Sequence, residues 1–323
     1  MMKVSEDVID NQHQYDQVFP LVLRPNDDTE DLNQSIDWVF DNEKELISRL
    51  NYHGVLLFRG FPIKTDRDFD SFIGAFDLQN FTYTESLSNA IRRNRTERVF
   101  TANEAPASVP IFLHHEMAQT PVFPHKLFFF CEHAAQSGGA TPLCRSDILL
   151  ERLAIECPTF VKSCEEKGLR YSNVMPASND ESSGQGRSWQ STLTATTVKE
   201  AEDRLISLNY QWHWLGDGSL KVTTPVLPAI RELDNGKRVF FNQLIAARRG
   251  WEDARNQAEK SVCFGDGSDF NSKDMNSLIR ISDQLTFDLN WQTGDVALVD
   301  NFLVMHGRKP YIGERRVLAS LII

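Results

Sequence analysis

In the stretch IFLHHEMAQ, residues 111–119, two histidines and a glutamate stand side by side in an apolar run. Side chains two apart on a strand share a face. His114 and Glu116 would therefore project together and His115 the other way. An imidazole and a carboxylate converging from one backbone supply two ligands of a metal site, and a third must come from elsewhere. His306, in DNFLVMHGR, stands at the end of a predicted strand far downstream. Two neutral imidazoles and one carboxylate, with three positions left open, suit non-haem iron(II) chemistry with oxygen. One negative charge against the metal's two leaves a net positive site for an anionic, chelating co-substrate. Taken alone the pattern is weak: an isolated H-x-E is more often structural, and a lone histidine is more often a satisfied core residue.

Such donors need a rigid frame, and the sequence supplies one. GVLLFRGF (54–61), KLFFFCEH (126–133) and KRVFFNQL (237–244) read as strands, being apolar or β-branched and aromatic between polar or turn residues. The C-terminal segment alternates VALV, FLVM and VLASLII with the turn signals TGD and DN. Helices are expected over 41–50, 66–76 and much of 146–167, the last capped by Ser146 or Asp147. Another starts at the capping box Thr197–Glu200 and runs to about Leu208. Residues 210–218, YQWHWLGDG, read as a β-hairpin with packed indoles. Two polar loops interrupt the pattern, at 176–188 and 265–274, and the first is a candidate lid, 176–190. With no repeat and no linker signal, the expectation is one domain over 1–323, mainly β with flanking helices.

Composition bounds the partners. A net charge of −11 argues against a general nucleic-acid binder. No apolar run is long enough to span a membrane, and the polar N-terminus has no leader pattern. Five scattered cysteines without a C-x-x-C pair fit reduced thiols. These features predict a soluble, cytoplasmic protein and say little about small-molecule substrates.

Two further features strengthen the metal reading. Thr141 follows QSGGA, and the pair Arg315–Arg316 enters the last strand after His306. A planar guanidinium grips a carboxylate through two parallel hydrogen bonds. Alternation allows only one of the two arginines to face the interior.

Over most of its length, from HGVLLFRGFPI at 53–63 to the C-terminus, the chain resembles the taurine dioxygenase/clavaminate synthase-like family of Fe(II)/2-oxoglutarate oxygenases. The resemblance rests on LHHEMAQTPVFPHKLFFFCEHAAQSGGATPL, GKRVFFN and TGDVALVDNFLVMHGRKPYIGERRVL. It implies a double-stranded β-helix, the distorted jelly roll of clavaminate synthase-like proteins, with Fe(II), 2-oxoglutarate and O2 as cofactor and co-substrates. His114, Glu116 and His306 match the iron ligands. Thr141 and Arg316 match the residues that hold the far carboxylate of 2-oxoglutarate. The arginine that grips a sulfonate in the taurine enzyme is replaced here by Ser320, which argues against taurine, and Glu116 argues against halogenation. The implied activity is oxidation, foremost hydroxylation, of an unactivated C–H in an amino acid or amino-acid-derived metabolite of specialised biosynthesis.

On the substrate side the candidates are Tyr83 and Glu85 in FTYTES, Asn103 in TANE and Asn242 in FFNQ. Each has an equally good structural explanation, as a half-buried aromatic, a turn residue or a backbone clamp. The run AIRRNRTER (90–98) concentrates cations in an acidic chain. Arg92 and Arg93 could there receive an anion, either a substrate carboxylate or a carrier protein bearing an aminoacyl thioester. Two other classes compete: a zinc hydrolase on the same triad, which has no use for Thr141 and the arginine, and an inactive scaffold on the same fold.

Overall fold

The computed structural model describes residues 2–27, 31–103 and 105–323. Its larger sheet runs in the order Val4–Asp7, Leu21–Pro25, Val55–Phe58, Val296–Asp300, Lys126–His133, Arg316–Ile322 and Asn80–Phe81, with Phe100–Thr101 also paired to Arg316–Ile322. A smaller sheet orders Phe287–Leu289, Thr141–Arg145, Val304–Arg308 and Ile111–His114. All pairings in the smaller sheet are antiparallel.

Side-chain alternation divides these strands between separate cores. Leu127, Ala297, Val299 and Ala319 of the larger sheet share one apolar cluster with Leu143, Val304, Phe287 and Leu289 of the smaller, so the two inner faces enclose a common interior. The intervening residues point outward. Phe128, Phe130 and Leu298 pack with Phe69, Phe72 and Phe76 from the helix Asp66–Gly74 and its end. Cys144 and Met305 pack with Leu149, Leu153, Phe160, Leu278 and Ile281 on three further helices. The result is a jelly-roll sandwich with helices on both outer faces. None of the described helices is long and apolar enough to cross a membrane.

Several expected elements differ in extent. The helix expected at 41–50 spans Leu32–His53; its start is set by the Asp31 side chain accepting from the Asn33 N–H, and it ends at Gly54, in the left-handed region (φ 80°). The helix expected over 146–167 is two, Ser146–Glu156 and Pro158–Lys167, broken because Pro158 must begin a new first turn. Asp147 does not cap the first of them but pairs with the buried Arg145. Residues 237–244 are not one strand: only Arg238–Val239 pairs, and the Asn242 carboxamide oxygen accepts from the Leu244 N–H to start the helix Leu244–Gly250. The hairpin at Gln211–Trp214/Leu220–Thr223 and the capping box Thr197–Glu200 form as expected.

Candidate metal centre and its cavity

His306 and His114 are direct cross-strand partners, on Val304–Arg308 and Ile111–His114. Their ring centroids lie 4.4 Å apart. Close approach of these strands depends on Gly307, where a β-carbon would fall 2.4 Å from the Ile111 carbonyl oxygen. Glu116 joins them by a route that simple alternation does not describe. The strand ends at His114, and the chain turns immediately, with Met117 at φ 57°. Asn301, fully buried, holds the turn: its side chain accepts from the Glu116 N–H at 2.8 Å and donates to the Glu116 carbonyl at 3.0 Å. His115 points the other way and is fully buried against the Asn301 and Phe240 carbonyls.

One donor atom each from His114, Glu116 and His306 falls within 4.8 Å of the others. Glu116 Oε2 is 3.6 Å from His306 Nε2 and 4.0 Å from His114 Nε2. The protonation state suits a metal. His114 Nδ1 lies 2.8 Å from the Phe112 carbonyl, which can only accept, so Nδ1 carries the proton and Nε2 presents its lone pair. Burial, with His306 adding to it, lowers the His114 pKa to about 4 and keeps the ring neutral. Burial alone would raise Glu116, but Arg92 and the two histidines hold its carboxyl well below the usual range. His306 Nδ1 is buried with no partner among the described residues. An N,N,O donor set carrying one formal negative charge fits a divalent first-row metal ion.

The triad opens onto a cavity of about 450 Å³. Thr141 and Arg315 form one part of its wall. Thr141 Oγ1 accepts a 2.9 Å hydrogen bond from Trp291 Nε1, which leaves its own O–H proton to donate into the cavity. Arg315 Nε donates to the Gly139 carbonyl at 2.9 Å, and among the described residues no carboxylate pairs with its guanidinium. Gly139 sits at φ 73°, and a β-carbon there would meet the Arg315 side chain at 2.9 Å, so the glycine makes room for the arginine. Burial and the nearby Arg308 draw Arg315 down to about 10, still charged at neutral pH. A hydroxyl donor and an unneutralised, half-buried guanidinium in one cavity lining have the chemistry to receive a carboxylate.

Arg316 is not part of this wall, which corrects the expectation for it. The residues that share a face are Arg315 and Val317, both lining the cavity. Arg316 points to the outer side, exposed, and pairs with Glu132 and Glu314. The pairing with Lys126–His133 shifts register between Arg316 and Val317, a local irregularity that motif order cannot reveal.

The other substrate candidates divide. Asn103 lines the cavity, with its side-chain oxygen accepting from the Ala105 N–H. Tyr83 lies outside it, donating to the Ala90 carbonyl under the Arg187 guanidinium. Glu85 is spent on the Thr82 N–H and hydroxyl. Asn242 is a backbone clamp, donating to the Ala229 carbonyl while capping Leu244. The basic run is not an open patch. Arg92 turns inward to Glu116, Arg95 pairs with Asp66 and Glu132, and Arg98 with Asp70. Arg93, 62% exposed, meets Glu181 at the surface.

Sequence reading missed Gln119, Gln185, Ser88 and Asn89, all cavity-lining, and the clamps Asn301, Arg187 and Arg308. Gln119 had a signal: it shares the opening motif, three positions beyond Glu116. The candidate lid does border the cavity, through Asp180, Ser182, Ser183 and Gln185, and is tied down by Arg255–Asp180 and Ser183–Asp253, each 2.8 Å.

The chain is similar to a clavaminate synthase-like protein of Arabidopsis thaliana, with 41% identity over 85% of this chain and 83% of that one. It is 29% identical to the dapdiamide synthesis protein DdaC of Enterobacter agglomerans, over 84% of this chain and 83% of DdaC. Its fold matches PvcB from Pseudomonas aeruginosa with a TM-score of 0.57 at 14% identity, covering 100% of this chain and 91% of that one. That likeness establishes the double-stranded β-helix. A family match spanning residues 18–321 completes the assignment: the chain belongs to the taurine catabolism dioxygenase TauD, TfdA family.

Proposed function

We propose that this protein is an Fe(II)- and 2-oxoglutarate-dependent oxygenase that hydroxylates a C–H bond of a free amino acid or amino-acid-derived small molecule. The observation that carries the reading is the single cavity shared by the His114–Glu116–His306 donors and the Thr141–Arg315 carboxylate receptor. A metal-dependent hydrolase needs the first and has no use for the second. When bound, iron(II) and 2-oxoglutarate supply the oxidant for the substrate carbon, with succinate and CO2 as co-products.

The chain's own residues then have separable tasks. His114, Glu116 and His306 hold the metal on one side, leaving the cavity side open. Thr141 and Arg315 fix the far carboxylate of the co-substrate. The remaining wall is rich in amides and hydroxyls, including Gln119 and Gln185, whose carboxamide oxygens are buried with no partner among the described residues. Buried acceptors of this kind favour a ligand that brings N–H or O–H donors. An amino group satisfies that demand; a hydrocarbon does not. The volume accommodates small ligands, within the usual range for such sites. The neutralised surface around 90–98 supports a free substrate over one presented by a carrier.

Anaerobic titration of the protein with Fe(II) and 2-oxoglutarate, followed by visible absorption, tests the cofactor reading. A screen of amino acids for substrate-dependent succinate release tests the substrate class. Absence of a 2-oxoglutarate-dependent band would reject the first; succinate release with carrier-bound aminoacyl groups alone would reject the second.

A further inference from the structure

The carboxylate of Glu116 has its two oxygens divided between different neighbours. Oε2 faces both histidine Nε2 atoms. Oε1 accepts a 2.7 Å hydrogen bond from Arg92 Nη2. Both side chains are almost wholly buried, 7% exposed for Arg92 and 6% for Glu116. Arg92 is itself held in place. Its N–H donates to the Tyr83 hydroxyl at 3.2 Å, its guanidinium lies 5.2 Å from the centroid of the Phe100 ring, and its Nε is buried without a partner. A guanidinium beside a divalent-metal site opposes metal binding by Coulomb repulsion, so its burial there calls for a compensating role.

We propose that Arg92 is a positioning residue that restricts Glu116 to one-oxygen ligation of the metal and cancels its charge in favour of the anionic co-substrate. This rests on the oxygenase reading above. Without Arg92 the three-residue cage carries −1 and the metal-loaded site +1; with Arg92 the cage is neutral and the loaded site +2. With the far carboxylate of 2-oxoglutarate facing the Arg315 cation, the extra positive charge favours the near carboxylate on the metal side. With Oε1 held, a coordination position that a two-oxygen carboxylate would occupy stays available to the chelating co-substrate.

The consequence is a split that ordinary structural damage does not produce. Removing the Arg92 charge should leave Fe(II) affinity unchanged or tighter while weakening 2-oxoglutarate. The test compares wild type, Arg92→Gln and Arg92→Lys under anaerobic conditions. Fe(II) affinity is measured by competition with a colorimetric chelator, 2-oxoglutarate affinity by the visible absorption band, and folding by thermal denaturation. Expected are a 2-oxoglutarate Kd raised about tenfold or more in Arg92→Gln, equivalent to about 1.4 kcal/mol, with an Fe(II) Kd no weaker than wild type. Arg92→Lys, which keeps the charge and loses the planar fork, should fall between the two. A 2-oxoglutarate Kd within about twofold of wild type, or parallel weakening of both ligands in the folded lysine variant, would overturn the proposal. If wild type itself shows no 2-oxoglutarate-dependent band, the oxygenase reading fails instead.

Discussion

The two walls of the cavity are built by different means. The metal-facing wall stands on paired backbone: His306 opposite His114, and Leu143 pairing with His306 from the other side. Much of the remaining wall comes from the segments 88–90, 180–185 and 251–254, which belong to no strand. That wall is held by side chains gripping backbone. Arg187, 2% exposed, donates to the carbonyls of Tyr83, Ser86, Ser88 and Ser191, and Arg255 bridges Asp180 and Asp253. Two of the three metal-facing donors, His114 and His306, are placed on the sheet, and the third, Glu116, on a turn clamped beside it by Asn301. Groups that meet the substrate are placed on loops, where sequence changes leave the sheet intact.

The contrast can be broken first at the metal. His306→Ala should abolish 2-oxoglutarate turnover while thermal denaturation remains cooperative, since the strand it sits on is paired on both sides. Near-normal turnover at saturating iron would remove the metal assignment.

Next comes the carboxylate receptor, where adjacent residues should behave very differently. Arg315→Ala is expected to cost about 3–5 kcal/mol of 2-oxoglutarate binding, because it strands a buried carboxylate, or roughly a hundred- to several-thousand-fold in Kd. Arg316→Ala should change it by less than about threefold, as for an exposed ion pair. Titration of both variants decides the phase of the last strand.

A smaller effect is expected on the loop wall. Arg255→Ala frees Asp180 and Asp253 from each other, which should raise the substrate KM by roughly five- to tenfold, the loss of one charged hydrogen-bonded tie. Limited proteolysis should cut faster between 180 and 187, with Fe(II) affinity unchanged. If Fe(II) affinity falls instead, the two walls are not mechanically separate. Smallest of all is Arg93→Glu. It should alter rates on free or carrier-bound amino acids by less than about twofold; a selective loss on the carrier-bound form would restore the basic run as a docking surface.

Much of the metal wall was legible because its signals are local. The H-x-E spacing, the strand Lys126–His133 and the C-terminal alternation depend on residues near one another in the chain. Even there the mechanism differed, since Glu116 reaches the site from a turn clamped by Asn301 rather than from a continuing strand. The loop wall was far less legible. Tyr83, Glu85 and Asn242 have the polarity of substrate contacts but spend it on nearby backbone and side-chain groups.

What the sequence determined by itself was therefore the donor set, the mostly β frame and the fact that one arginine of a pair must face inward. Tertiary structure alone decided which one, because alternation has two phases and only packing shows that Arg315 and Val317 share the inward phase of Ala319 and Leu321. It also decided the fate of Arg92. Among Arg93, Arg95 and Arg98 it reads as part of a cationic run open to an anion from outside, yet it is buried against Glu116. A charge is hydrated or buried according to whether a counter-charge waits inside, and chain folding, not local composition, brings that partner within 2.7 Å.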